Sequence, residues 1–447
     1  MSTIPHEGLP VLSLFASAFT TTATFARALL LAVAAILTTG RRTVTNLLRT
    51  VADLTDGDPS SYHRVLSLAQ WSGLTLAALL ARFIVRHFWP QGRIRLVGDD
   101  TVTEHPGRQV HGKARHRDPV RSSHSYTAWR WGHKWVVLAV LVRFPFATRP
   151  WALPVLVALY RSPQDNRQRG RPHQTPAQLL QVLLRTLLRW LSDRQFVFAG
   201  DQNYGSHEMA GLAPRSRGRL HVVSKFYPDA NLYEPPPPYT GHGRPRVKGA
   251  KLPRPQEVVA QAQRARLNVG WYGGGRRDVE VVSGTGHWYK AGHGLVPVRW
   301  VYVHDLTGTH RDEYFYSTDL TMTPQEIIEE YTGRWNIETT FEEARAYLGL
   351  ESTRGWCERT VGRAEPCLLG LYSVVALRYW LLPPAAQDQG TVDWDGKQAV
   401  TFSDAISAVR RWLWTHWVFP RAGHAEAFAK LPQDFQQLLL SGLAPAA

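Results

Sequence analysis

The sequence predicts an α/β fold, a sheet covered on both faces and flanked in the chain by helical regions. Three observations predict it. The runs 94–98, 135–142, 151–160 and 196–200 are almost continuously apolar and of strand length, the pattern of strands buried on both faces. A helix signal lies between the last two, where Thr175 is placed to cap and Pro176 to occupy the first helical position, with the helix running to about Leu191. The first and last of these strands end on acids, at Asp99-Asp100-Thr101 and at Asp201.

Taken in order, residues 1–92 read as an N-terminal helical domain with candidate helices at 11–38, 41–53, 60–70 and 73–88. The turn Asp56-Gly57-Asp58-Pro59 separates two of them, with Ser60 or Ser61 as N-cap of the next. Short helices around a tight turn, with Arg41, Arg42, Arg49, His63 and Arg64, suit a DNA-binding domain of helix-turn-helix type, against the plain alternative of a helical bundle. Residues 93–228 carry the first part of the α/β core. Residues 229–322 are read as a stiff basic linker and a β-rich insertion, whose strands (DVEVV, HWYKA, PVRWVYVHD) fall within 267–304. Residues 323–363 form the second part of the core. It opens on a capping box at Thr323 and Glu326, and its helix runs to Leu348 and stops at Gly349. Residues 364–447 are helical again.

Composition narrows the function. The 447 residues carry a net charge of +16, and 44 of the 52 basic side chains are Arg, whose planar fork matches phosphate oxygens. A large basic chain of this kind points to nucleic acid. Hydrophobic residues at 44% exclude a disordered chain, and two cysteines, Cys357 and Cys367, exclude a disulfide scaffold. The uninterrupted apolar run 28–37 is ten residues, about half of what a membrane span needs. The expectation is a chain without signal peptide or membrane span, cytoplasmic and nucleoid-associated when on DNA.

Along the helix from Thr323, Tyr331, Arg334, Glu338 and Arg345 fall within about 60° of one another, and Glu342 shares their face. A solvated charged stripe is the usual fate of such a pattern; Tyr331 among the charges and Trp335 and Phe341 nearby argue for a buried role. Asp100, Asp201 and Glu338 would repel one another if brought together bare. They become stable around Mg²⁺, which takes one or two carboxylates and keeps room for water and phosphate. Two such ions activate an attacking water and stabilise a leaving 3′ oxygen. The clustered His105, His111, His116, His124 and His133 lack close Cys partners and regular spacing, so they read as a DNA-contacting loop rather than a zinc site. Gly273-Gly274-Gly275 lacks the Lys-Ser/Thr of a phosphate loop and reads as a turn.

With these residues in hand the sequence resembles the DDE transposases of bacterial insertion sequences, in the branch with the Y-(2)-R-(3)-E-(6)-K signature. The matching residues are Asp100 in GDDT, Asp201 in FAGDQNYGS, and Tyr331, Arg334 and Glu338, with Arg345 where the family usually has Lys. The gap from Asp100 to Asp201 is 101 residues and from Asp201 to Glu338 is 137. The resemblance implies a ribonuclease H-like catalytic core interrupted by the β-rich insertion. Asp100, Asp201 and Glu338 would then be catalytic and metal-binding, with two Mg²⁺ ions per site and Mn²⁺ as a substitute. Asp99 stays open as the first ligand in place of Asp100, since neighbours in a strand face opposite ways. The partners implied are double-stranded DNA, as terminal inverted repeats and target, and a second copy of the chain on paired ends. Tyr331, Arg334 and Arg345 would contact DNA, and Trp288, with Trp271 second, would stack a flipped base if a hairpin forms. The competing expectation is a catalytically inactive, transposase-derived DNA-binding protein.

Overall fold

The structure is a computed structural model and describes residues 10–118, 122–123, 125–239, 241, 243–389, 391–392 and 394–445. His124, read above as part of the DNA-contacting loop, lies outside these residues.

One sheet organises the chain. Its strands are β1 (Ile94–Glu104), β2 (Ala114–Arg117), β3 (Trp129–Val142), β4 (Trp151–Tyr160), β5 (Phe196–Gly200), β6 (Leu220–Lys225), β7 (Leu232–Tyr233), β8 (Ala265–Gly270), β9 (Arg276–Lys290), β10 (Gly294–Asp305) and β11 (Glu313–Ser317). Their order is β2-β3-β1-β5-β6-β11-β10-β9-β7, with β4 on β3 and β8 on β9. The central strands β1, β5 and β6 run parallel, while β3 is antiparallel to both β1 and β4. From Trp135 to Val142 every side chain of β3 is buried, as expected of a strand covered on both faces.

The main helices are α1 (Thr22–Leu37), α2 (Val44–Thr50), α3 (Pro59–Ser67), α4 (Gly73–Phe88), α5 (Pro176–Trp190), α6 (Pro324–Gly333), α7 (Asn336–Leu348), α8 (Glu358–Trp380) and α9 (Phe402–Leu413), besides helices at Pro255–Gln261 and Gln433–Leu443 and shorter ones. Leu180, Leu183, Leu184 and Leu187 form the buried stripe of α5, which lies on one face of the sheet. There Leu180 closes on Gly98 so tightly that a Cβ would come within 2.9 Å of it. On the other face α6 and α7 lie against β1, β4, β5 and β6, and α8 lies against β4 and packs with α1, α3 and α9.

Several boundaries differ from expectation, each for a local reason. The helix expected over 11–38 breaks, and α1 begins afresh where Thr21 accepts the Thr24 N–H at 3.1 Å. α3 is capped by Asp58, not Ser60 or Ser61, because Pro59 takes the first helical position and Asp58 accepts the Ser60 N–H at 2.6 Å. The helix expected from 323 to 348 parts at Arg334-Trp335 into α6 and α7. DVEVV and HWYKA are one strand: Gly284 and Gly286 make room for Trp300 and Leu232 across the sheet and mark no turn. The β-rich segment extends the core sheet through the pairing of β11 with β6. Among the N-terminal basic residues, Arg42 is buried, donating to Ala35 O at 3.3 Å and also to the carbonyl of Tyr347, and so ties the N-terminal helices to α7. Among the described residues no helix is long and apolar enough to cross a membrane.

Candidate active site

β1 continues past the Asp pair to Glu104, so Asp99 and Asp100 stand inside a strand rather than at its end. Alternation then sends them to opposite faces. On one face Arg95 reaches Glu330 at 2.7 Å, Asp99 reaches Arg334 at 3.1 Å, and Thr101 accepts from Arg345, so three residues on this face of β1 engage α6 and α7. On the other face, with Gly98 against α5, Asp100 accepts the Tyr204 O–H at 2.8 Å and pairs with Lys134 at 2.9 Å.

Asp201 follows β5, where Gly200 is in register with Gly98. The next residue in each strand, Asp201 and Asp99, therefore shares a side. Asp201 accepts the backbone N–H groups of Asn203 at 2.9 Å and Tyr204 at 3.2 Å, as the cap of the turn that follows. Ser224 on β6 donates to the carbonyls of Gly200 and Asp201, both at 2.8 Å, and fixes the end of β5.

Glu338 stands in the first turn of α7, half-exposed, 2.8 Å from Arg334. Arg334 thus bridges a strand carboxylate and a helix carboxylate with one guanidinium. Burial works against its charge, but Asp99, Tyr331 and Glu338 more than offset this and hold it fully cationic. Burial pushes Asp99 up to about 8; Arg334 opposes the shift, and Asp201 and Asp100 add to it. Asp201 is raised for the same reasons, burial first, with Arg334 opposing and Asp100 reinforcing. The cluster is short of positive charge. Its donors are all carboxylate oxygens, the set a hard divalent cation takes, so the residues fit Mg²⁺.

The remaining expected residues fall as follows. Tyr331 is buried, its ring stacked on Phe315 at 4.3 Å, where it supports Arg334 and offers no surface to DNA. Arg345 is partly exposed and spans Glu351 at 3.0 Å and the end of β1 at Thr101 and Val102. Trp288 is only 8% exposed, enclosed by His207, Phe226 and Tyr316, so its ring has no free face for a base, and Trp271 is equally buried. His105, His116 and His133 are buried as well, which corrects their reading as a DNA-contacting loop: the strand register carries them inward. The sequence reading missed Lys134 and Tyr204 as partners of Asp100. The signal for Lys134 was its place at the start of the long apolar run of β3; nothing local marks Tyr204.

The profile of the DDE superfamily endonuclease family matches residues 14–278, more than half of the sequence, and the chain belongs to this family. Residues 278–371, which include Glu338, match the profile of the archaeal putative transposase ISC1217. The first match places the chain in the DDE endonuclease superfamily, and the second is a similarity to a transposase over its own segment. In fold it is also similar to the piggyBac transposase in a cryo-EM structure of the synaptic complex with hairpin DNA, at a TM-score of 0.40 and 10% identity over 98% of this chain and 83% of that one. No curated protein matches it.

Proposed function

We propose that the chain is a transposase of the bacterial insertion-sequence type that binds terminal inverted repeats and catalyses phosphodiester hydrolysis followed by strand transfer. The observation that carries the reading is the bridge of Arg334 between Asp99 and Glu338, which draws a strand acid and a helix acid to one side of the sheet with Asp201 beside them. The order β4-β3-β1-β5-β6, with parallel β1, β5 and β6 and the α5 crossover, supports a ribonuclease H-like core.

In this reading the first ligand is Asp99 rather than Asp100, and Asp99, Asp201 and Glu338 would hold two Mg²⁺ ions, or Mn²⁺ in their place. Bound there, the ions supply activation of the attacking water and stabilisation of the leaving 3′ oxygen. The protein's own residues do the positioning. The Asn203 and Tyr204 N–H groups orient Asp201, and Arg334 holds Asp99 and Glu338 until DNA arrives. Lys134 and Tyr204 keep Asp100 engaged on the far side of the strand.

The surplus of positive charge serves the DNA backbone. Trp129 and Trp131, 48% and 53% exposed at the start of β3, replace Trp288 as the rings free to stack bases, with Arg115 and Lys113 over them at 4.7 and 5.8 Å. Paired ends imply two copies of the chain. The test is nicking of a duplex carrying the repeats that flank the coding region, in Mg²⁺. The parent protein cuts at the repeat end, and Asp201→Ala and Glu338→Ala do not. Equal cutting by both variants overturns the reading.

A further inference from the structure

β1 carries a second cluster on the same face as Asp99, beyond its other end. His105 follows the last residue of the strand, His133 lies opposite Thr103 on β3, and Glu365 comes from α8. Among the described residues these are the only three potential ligands whose donor atoms all lie within 4.8 Å of one another. They are 2%, 1% and 2% exposed. At about 3.4 Å per strand residue, His105 stands roughly 20 Å along β1 from Asp99, so the cluster is separate from the candidate active site.

The hydrogen bonds around it fix what each atom has left to offer. His133 Nε2 lies 2.8 Å from the His111 carbonyl, which only accepts, so the ring proton sits on Nε2. Nδ1 then turns a lone pair inward. It is buried with no hydrogen-bond partner, 3.7 Å from Glu365 Oε1. A lone pair facing a carboxylate oxygen, both out of water, is unfavourable unless a cation, either a proton on Nδ1 or a metal ion, stands between them. His105 Nε2 contacts the same Oε1. Thr103, at 2.8 Å, and the Trp135 indole N–H both hold Oε2, which leaves Oε1 turned to the two imidazoles and to the Thr353 hydroxyl, which donates to it at 3.0 Å. A ring N–H on a backbone carbonyl and a carboxylate braced by its neighbours are the supports that metal ligands receive.

We propose that His105, His133 and Glu365 bind one divalent transition-metal ion, with zinc as the best match to two imidazoles and a carboxylate. The site has a structural role: it pins the end of β1 and the middle of β3 to α8, and so anchors the strand that carries Asp99. The proposal stands apart from the functional reading above and is tested without DNA.

The full chain is expressed with zinc, dialysed, and its metal content measured by mass spectrometry, with X-ray absorption at the zinc edge of the unmutated protein. About one zinc per chain is expected, with imidazole scattering from two ligands. The content falls about tenfold or more in His133→Ala and in Glu365→Gln. Stripping with a strong chelator lowers the thermal midpoint, and zinc restores it while Mg²⁺ does not. Unmutated protein that takes up no zinc, or shows no histidine scattering, overturns the proposal and leaves a hydrogen-bonded ion pair. Retention of the full equivalent by both folded variants overturns it too. Should the variants fail to fold, the spectrum and metal content of the unmutated chain decide.

Discussion

Arg334 donates to Asp99 at 3.1 Å from one nitrogen and lies 2.8 Å from Glu338 through another, so a single buried guanidinium holds together acids 239 residues apart. Removing it leaves carboxylates with nothing to offset their repulsion. Arg334→Ala is expected to cut repeat cleavage by on the order of 10²-fold or more. It should also lower the thermal midpoint in chelator, and saturating Mg²⁺ should recover most of that loss. Arg334→Lys keeps the charge but lacks the fork that spans both acids, so it should recover stability better than cleavage. Scanning calorimetry with and without Mg²⁺, beside a nicking assay, checks both outcomes.

Asp99 and Asp100 differ by one step along β1 and so make opposite predictions. Asp99→Asn removes the acid facing Arg334 and should leave no detectable nicking. Asp100→Asn keeps a side chain able to bond Tyr204 and should stay within about tenfold of the parent, as expected for a supporting group. Iron-mediated hydroxyl-radical cleavage of the backbone, with Fe²⁺ in place of Mg²⁺, should cut near Asp99 in the parent and in Asp100→Asn, and not in Asp99→Asn.

The raised Asp99 gives a pH signature. Its carboxyl moves from 3.8 in the unfolded chain to about 8 in the folded one, through burial first and the neighbouring Asp201 and Asp100 next, against Arg334. Between these values the folded state binds a proton that the unfolded state has released. Its stability contribution is therefore complete below about 4 and is lost as pH rises towards about 8. In chelator the urea midpoint should fall across that window and level off above it. Saturating Mg²⁺ should flatten the slope by competing with the proton, and Asp99→Asn should flatten it without metal. A midpoint that rises over the same window would count against the shift.

Local chemistry made much of the fold legible. Thr175 and Gln178 form the capping box that starts α5, and Thr323 and Glu326 the one that starts α6, where composition alone places them. The apolar runs of β3, β4 and β5 read as strands because both faces are buried. The facing of Asp99 and Asp100 was not legible, since it depends on the register of Gly98 against Gly200, set by packing across about a hundred residues. Trp288 looked available because a ring in a polar sequence context carries no mark of what lies against it; Phe226, just after β6, and Tyr316, in β11, arrive from elsewhere in the chain. His105, His133 and Glu365 were scattered in the same way, with Glu365 supplied by a helix 260 residues beyond His105.

The tryptophans separate a core role from a DNA role by two different measurements. Trp288 is enclosed, so Trp288→Ala should cost about 3–5 kcal/mol of folding stability through the cavity it leaves. Trp129 and Trp131 stand open on the strand beside β2, with Arg115 and Lys113 over their rings. Their alanine variants should stay within about 0.5 kcal/mol of the parent in stability, as exposed positions do. Each should weaken binding of the repeat duplex, or of its single-stranded end, by about 1–3 kcal/mol if the ring stacks on a base. Fluorescence anisotropy of labelled DNA, set beside urea denaturation of the same three variants, reads both quantities. Loss of DNA affinity in Trp288→Ala at unchanged stability, with none in the other two, would return the stacking role to Trp288.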